Sequence, residues 1–171
     1  MHFHIITIFP ETIEPYITTG VVGRGIMKKK ISVSVYNPRD YTKDKHKKVD
    51  NIPYGGGPGM IMMVDPIARA IKKIQQKIAK RKPPKRRQGS VGYKSKVKVV
   101  LTSPGGKEFT NSYADKVIKN KYTDIIIICG RYEGIDSRIK KIFKAEEVSI
   151  GDYVLTGGEL PAMVMLDVIA R

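Results

Sequence analysis

Four glycine-bearing segments hold the residue types best suited to cradling a small ligand. They are Tyr54-Gly55-Gly56-Gly57-Pro58-Gly59-Met60, Thr102-Ser103-Pro104-Gly105-Gly106, Cys129-Gly130-Arg131-Tyr132-Glu133-Gly134-Ile135-Asp136, and the run SIGDYVLTGGELP at 149–161. Glycine lets backbone amides approach a ligand closely. One such loop alone is most simply a tight turn with a helix cap, but several in one small chain point to a binding site. None has the spacing of a P-loop, and no G-x-G-x-x-G stands between a strand and a helix, which argues against ATP and NAD. No Ser-His-Asp or Cys-His arrangement is legible. Cys129 follows four isoleucines and reads as a small buried apolar side chain, not a nucleophile. His46 lies between Asp44 and Asp50 at loose spacing. No metal site is expected there, and His46 reads as a hydrogen-bonding or RNA-contacting residue.

The elements that must position these loops follow from hydrophobic period. Residues 2–8 are β-branched and short, a buried strand. Pro10 then opens a helix at a first-turn position, where its missing N–H costs nothing. Ile31, Val33 and Val35 alternate with serines as in a half-exposed strand, and 38–60 reads as a long loop. Asp65-Pro66 is expected to cap a helix with Ile67, Ala70, Ile71, Ile74 and Ile78 on one face. Residues 97–101 and 124–129 read as strands, the second apolar without alternation as in a strand covered on both faces. Helices are expected at 111–120, from an Asp136 cap to Phe143, and at 161–171. Strands alternating with helices predict an α/β sheet with helices on both faces. In such sheets ligands bind beyond the carboxyl ends of the strands. The last helix carries no stop signal, so a further domain is expected to follow it.

The 171 residues suit one domain or one and a half. The formal charge is +16. The N-terminus lacks a signal-peptide pattern, and no stretch approaches the roughly 18 apolar residues of a membrane span. A single cysteine excludes an intramolecular disulfide and fits a reducing compartment. A soluble, cytoplasmic protein without a membrane partner is expected. Residues 77–98 hold ten Lys or Arg and no acid. That run reads as a solvated, disordered basic loop, which is compatible with contact to RNA phosphates.

Taken together, PRD at 38–40, YGGGPGM at 54–60, GRYEGID at 130–136 and SIGDYVLTGGELPAM at 149–163 closely resemble the TrmD family. These are the bacterial tRNA (guanine-N1)-methyltransferases of the SPOUT superfamily. Order and spacing agree over nearly the whole chain, except about 75–98, where this sequence looks longer and more basic. The resemblance implies one SPOUT methyltransferase catalytic domain over 1–171: a parallel sheet with helices on both faces and a deep trefoil knot near the C-terminus. General folding rules would not suggest a knot. The resemblance further implies that S-adenosylmethionine, leaving as S-adenosylhomocysteine, is held bent in the knot loops. Matching positions are Ser103 and Pro104; Gly130, Tyr132 and Glu133; and Ile150, Gly151, Asp152, Tyr153, Val154, Leu155, Gly157 and Gly158. The implied partners are tRNA, methylated at N1 of the guanosine just 3′ of the anticodon, and a second copy of the chain in an obligate homodimer. The family's catalytic arginine falls on Arg171. Its general base and its helical tRNA-binding domain belong to segments absent from these 171 residues. The chain is therefore expected to bind cofactor but to transfer methyl slowly. The sequence leaves a Mg²⁺ requirement open. The alternatives are another SPOUT RNA methyltransferase, disfavoured by PRD and GELPAM, and a non-enzymatic basic RNA-binding protein, which leaves the glycine segments unexplained. A dinucleotide-dependent oxidoreductase lacks its fingerprint.

Overall fold

Four consecutive isoleucines, Ile125 to Ile128, are divided between two cores. A computed structural model describes residues 1–81 and 95–171. The strands are β1 (His2–Ile6), β2 (Ser32–Tyr36), β3 (Asp50–Asn51), β4 (Ile61–Met62), β5 (Val97–Glu108), β6 (Asp124–Ile128) and β7 (Glu146–Ser149). The helices are α1 (Pro10–Thr18), α2 (Gly20–Met27), α3 (Val64–Lys80), α4 (Asn111–Lys119), α5 (Arg138–Phe143) and α6 (Glu159–Ala170). Five strands form one sheet in the order β2-β1-β6-β5-β7, parallel throughout. All five residues of the central β6 are buried. Side chains alternate across a strand, so Ile125 and Ile127 join Phe3, Ile5 and Val100 on one face, under α1, α2, α4 and α6. Ile126 and Ile128 join Ile6, Val99 and Leu101 on the other, under α3 and α5. Each such isoleucine, fully buried, contributes about 1.5–3 kcal/mol before entropy is counted.

Helix α3 buries Ile67, Ala70, Ile71, Ile74 and Ile78, the stripe its spacing predicts. Its start is not an Asp65 cap. The helix begins at Val64 with Met63 at the N-cap and no side-chain cap bond. The Met63 N–H donates to the Val49 carbonyl, which fixes the entry of the chain. Asp65 pairs instead with Arg69 one turn on, at 2.6 Å. Helix α5 likewise has Ser137 at its N-cap, although the Asp136 carboxylate still accepts the Arg138 backbone N–H at 3.0 Å.

Within 38–60 there is more order than a loop: a 3₁₀ turn at Pro38–Tyr41 and the strand β3, paired antiparallel with β4. The basic run at 77–98 lies largely outside the described residues. Its first residues continue α3, and its last enter β5. Among the described residues no helix is long and apolar enough to cross a membrane.

Candidate active site

The loops that leave β5, β6 and β7 at their carboxyl ends are stitched together by backbone. Thr102 at the end of the regular part of β5 donates its hydroxyl to the Ile128 carbonyl at 3.2 Å and accepts the Gly130 N–H at 3.1 Å. The Gly158 N–H then donates to the Gly130 carbonyl at 2.8 Å. This contact is possible only for glycine. A Cβ at 158 would fall on Thr102 Oγ1 and within 2.7 Å of both Cys129 Cα and Gly130 N.

An ion pair closes the same region. Glu159, 2% exposed, accepts from Arg131 Nε at 3.0 Å and from the Thr7 hydroxyl at 2.6 Å. Arg131 also donates to the Thr156 carbonyl and lies 4.6 Å over the Phe9 ring. The first residue of α6 is thus anchored to the ends of β1 and β6. Cys129, beneath them, is fully buried, and burial raises its thiol pKa well above the ordinary value. A thiol held protonated is a poor nucleophile.

Around these anchors lies a cavity of about 450 Å³, within the range of roughly 300–1,000 Å³ found for small-molecule sites. The structure brings Ser103, Pro104, Gly130, Tyr132, Glu133, Ile150, Tyr153, Val154, Leu155, Gly157 and Gly158 to its walls. Gly151 and Asp152, in the same loop, do not line it. Instead, the Tyr153 ring packs against Gly151, where a side chain would collide with it. Arg171 is exposed at the far end of α6. Twelve helical residues put it about 18 Å along the axis from Glu159, so the chain's own cavity does not receive it. Sequence reasoning missed Thr102, Arg131, Glu147 and Glu159. The signal for Arg131 and Glu159 was present, as opposite charges in two glycine segments, but only the fold reveals that the segments touch.

The Tyr54–Met60 segment proves to be the outer brace of the Gly130–Asp136 loop. Met60 and Gly134 carbonyls accept the Glu133 and Met62 N–H groups, and Met62 accepts from Asp136. Gly59, at φ +86°, sits where any Cβ would strike the Glu133 side chain. Arg138 reaches the Tyr54 hydroxyl at 2.5 Å and chelates Asp136, whose carboxyl that hydrogen bond holds below the usual range.

At the opposite, amino edge of the sheet, His2, His4 and Asp124 lie within 4.8 Å of one another. His4 bonds Asp124 at 3.1 Å and the Tyr36 hydroxyl at 3.2 Å. Burial works against the Asp124 carboxylate. Bonds from His4, Arg81 and Thr123 outweigh it and hold its pKa well below the ordinary value. Because Arg81 grips both Asp124 oxygens, at 3.0 and 2.6 Å, a fixed positive charge stands where a cation would bind. The cluster is suited to structure rather than to metal. Among the described residues, His46 donates its backbone N–H to the Asp44 carboxylate.

A parallel α/β sheet with a glycine-walled cavity past its carboxyl edge defines a class of small-molecule-binding α/β domains. The comparisons narrow the class. A family model described as tRNA (Guanine-1)-methyltransferase TrmD matches residues 1–171, and the chain belongs to that family. It is 43% identical over its whole length to a tRNA (guanine-N(1)-)-methyltransferase of Ruminiclostridium cellulolyticum, and 44% identical to one of Actinobacillus succinogenes. It spans 66% and 63% of those relatives' lengths, just under two thirds. The crystal structure of tRNA (m1G37) methyltransferase from Aquifex aeolicus superposes with a TM-score of 0.80 at 33% identity, covering all of this chain and 69% of that one.

Proposed function

We propose that this chain binds S-adenosylmethionine in the cavity beyond β5, β6 and β7 and directs its methyl group to N1 of the guanosine 3′ of the anticodon in tRNA, position 37 in the Aquifex relative's name. The observation that carries the reading is the convergence of three separate glycine loops on one cavity. The residues present suit the group. The Gly157 backbone amide and carbonyl, left open by the bonds that tie Gly130 and Gly158, offer the edges an adenine needs, while Pro104, Ile150, Val154 and Leu155 offer it apolar walls. The carboxylate of Glu133 suits the positive charge of a sulfonium or an amino group. The cofactor, when bound, supplies a methyl group on a cationic sulfur, which needs no further activation.

The chain's own task is then positioning and charge. Guanine N1 carries a proton at neutral pH, which a general base must take. Negative charge then gathers toward O6, where a fixed cation lowers the barrier. Arg171 is that cation in this reading. Its place at the remote end of α6 favours service to a second copy of the chain, in a homodimer with the cavity at the subunit boundary. The exposed Leu160 and Val164 on α6, with Val21 and Met27 on α2, supply apolar surface for such a pairing. The loop at 150–158 lies across Thr102 and Gly130, a path that favours a trefoil knot closed by α6.

The test is methyl transfer from radiolabelled cofactor to a tRNA transcript, with excess enzyme, followed by nucleoside mapping. Label is expected in 1-methylguanosine next to the anticodon. Label at another base or another ring atom would overturn the assignment.

A further inference from the structure

The parallel sheet gathers the amino ends of its strands on the side away from the cavity. Register places Ser32, His2, Asp124 and Val97 in one row. The turns entering β2, β1, β6 and β5 therefore lie side by side. They are tied laterally: Ser32 donates to the Met1 carbonyl, His2 to Thr123, and Thr123 to Lys96. Into this row and the neighbouring turn before β7 project Lys29, Lys30, Lys96, Lys119, Lys121 and Lys144, all exposed. The carboxylates nearby are already engaged: Asp124 by Arg81 and Glu146 by Lys98.

Backbone conformation adds an independent observation. Lys29, Lys121 and Lys144 have φ of 54°, 55° and 50°. Each ends a helix, α2, α4 or α5, at the left-handed position. That conformation strains a lysine and costs glycine nothing. Attraction to the helix dipole explains a cation in the last turn, but α4 already has Lys116 and Lys119 there, and α5 has Lys140 and Lys141. Three strained lysines on one edge are accounted for if their charge faces a polyanion.

We infer that the amino edge of the sheet is a second RNA-contacting surface, in which Lys29, Lys30, Lys96, Lys119, Lys121 and Lys144 hold a phosphodiester backbone remote from the cavity. Five strand residues at about 3.3 Å each separate the two edges by roughly 17 Å, which a folded RNA can bridge. The inference rests on the tRNA reading above.

The test is binding of the 171-residue chain to a fluorescent tRNA transcript and to an unrelated RNA hairpin, across a salt series. The triple variant K29G/K121G/K144G is expected to bind on the order of tenfold more weakly at low salt, with a salt slope smaller by about 2. Its melting temperature should hold or rise as strain is relieved, and its cofactor affinity should not change. A charge-matched variant off the edge, R69Q/K72Q/K73Q, toward the start of α3, should lose much less. Loss on both RNAs marks contact with any backbone, and loss on tRNA alone marks contact with its shape; either supports the inference. Unchanged RNA affinity with a lower melting temperature would assign these lysines to helix ends and overturn it. So would equal loss in the control variant. If the unsubstituted chain bound no tRNA at all, the tRNA reading itself would fall, whereas an unaffected wild-type affinity with inert edge variants would sink only the second surface.

Discussion

The two edges of one parallel sheet are built from opposite materials. At the carboxyl edge, the Gly158 and Gly130 backbones meet directly beside the Thr102 hydroxyl, and there is no room for a side chain at 158. At the amino edge, side chains carry the structure. Buried His4, Asp124 and Tyr36 form a polar network capped from outside by Arg81, and lysines crowd the turns around it. The contrast teaches that a ligand site made of main chain tolerates almost no added atoms. The scaffold beneath it depends on matched charge. Damage to the first edge should therefore appear in binding and damage to the second in stability.

The largest effect is expected from Gly158→Ala. The new methyl group would press on Cys129 and Gly130 backbone, which cannot move without shifting β6. Overpacking of this kind costs about 1–3 kcal/mol. A displaced loop should also weaken cofactor binding, because Gly157 and Gly158 line the cavity. Differential scanning and equilibrium binding measure the two separately. Retention of full affinity would break the idea that the loops are stitched at this glycine.

Asp124→Asn should show the reverse pattern. Removing the charge leaves the partly exposed Arg81 guanidinium and the buried His4 with a neutral partner that cannot accept from both as well, at a cost of about 1–3 kcal/mol. Cofactor affinity, measured below the lowered melting temperature, should stay within about twofold, because the cavity lies at the other end of the strands. A large loss of affinity would show that the edges are coupled.

A smaller effect is expected from pH. Burial, with the neighbouring His4, pulls the His2 imidazole from its usual 6.5 down to about 4. The folded state thus resists protonation that the unfolded state accepts. Stability from this group is fully present above pH 6.5 and is lost as pH falls toward 4. Melting temperature recorded over that window should decline, and His2→Asn should flatten the decline. An identical slope in the variant would remove His2 from the account.

Much of the scaffold was legible because burial leaves a periodic trace. The Ile125–Ile128 run and the α3 stripe gave strand and helix directly. Helix α2 escaped because Gly20, Gly23 and Gly25 weaken any helical signal. Gly23 is needed there, since a Cβ would meet the Thr18 backbone. Strand β7 escaped because Glu146 and Glu147 disguise a strand whose Val148 is fully buried. At a sheet edge those glutamates find Lys98 and Lys140 instead of water. The cavity loops stood out as glycine segments after strands. Their mutual contacts, and the brace from Tyr54–Met60, did not. Pairing between remote loops through a two-residue strand leaves no period in the sequence.

The most direct measurement is isothermal titration of the folded 171-residue chain with S-adenosylmethionine, beside Gly158→Ala. Saturable heat with one site per chain, abolished or strongly weakened in the variant, is the expected result. No heat from a chain shown to be folded by its melting transition would contradict the assignment of the cavity to a methyl donor.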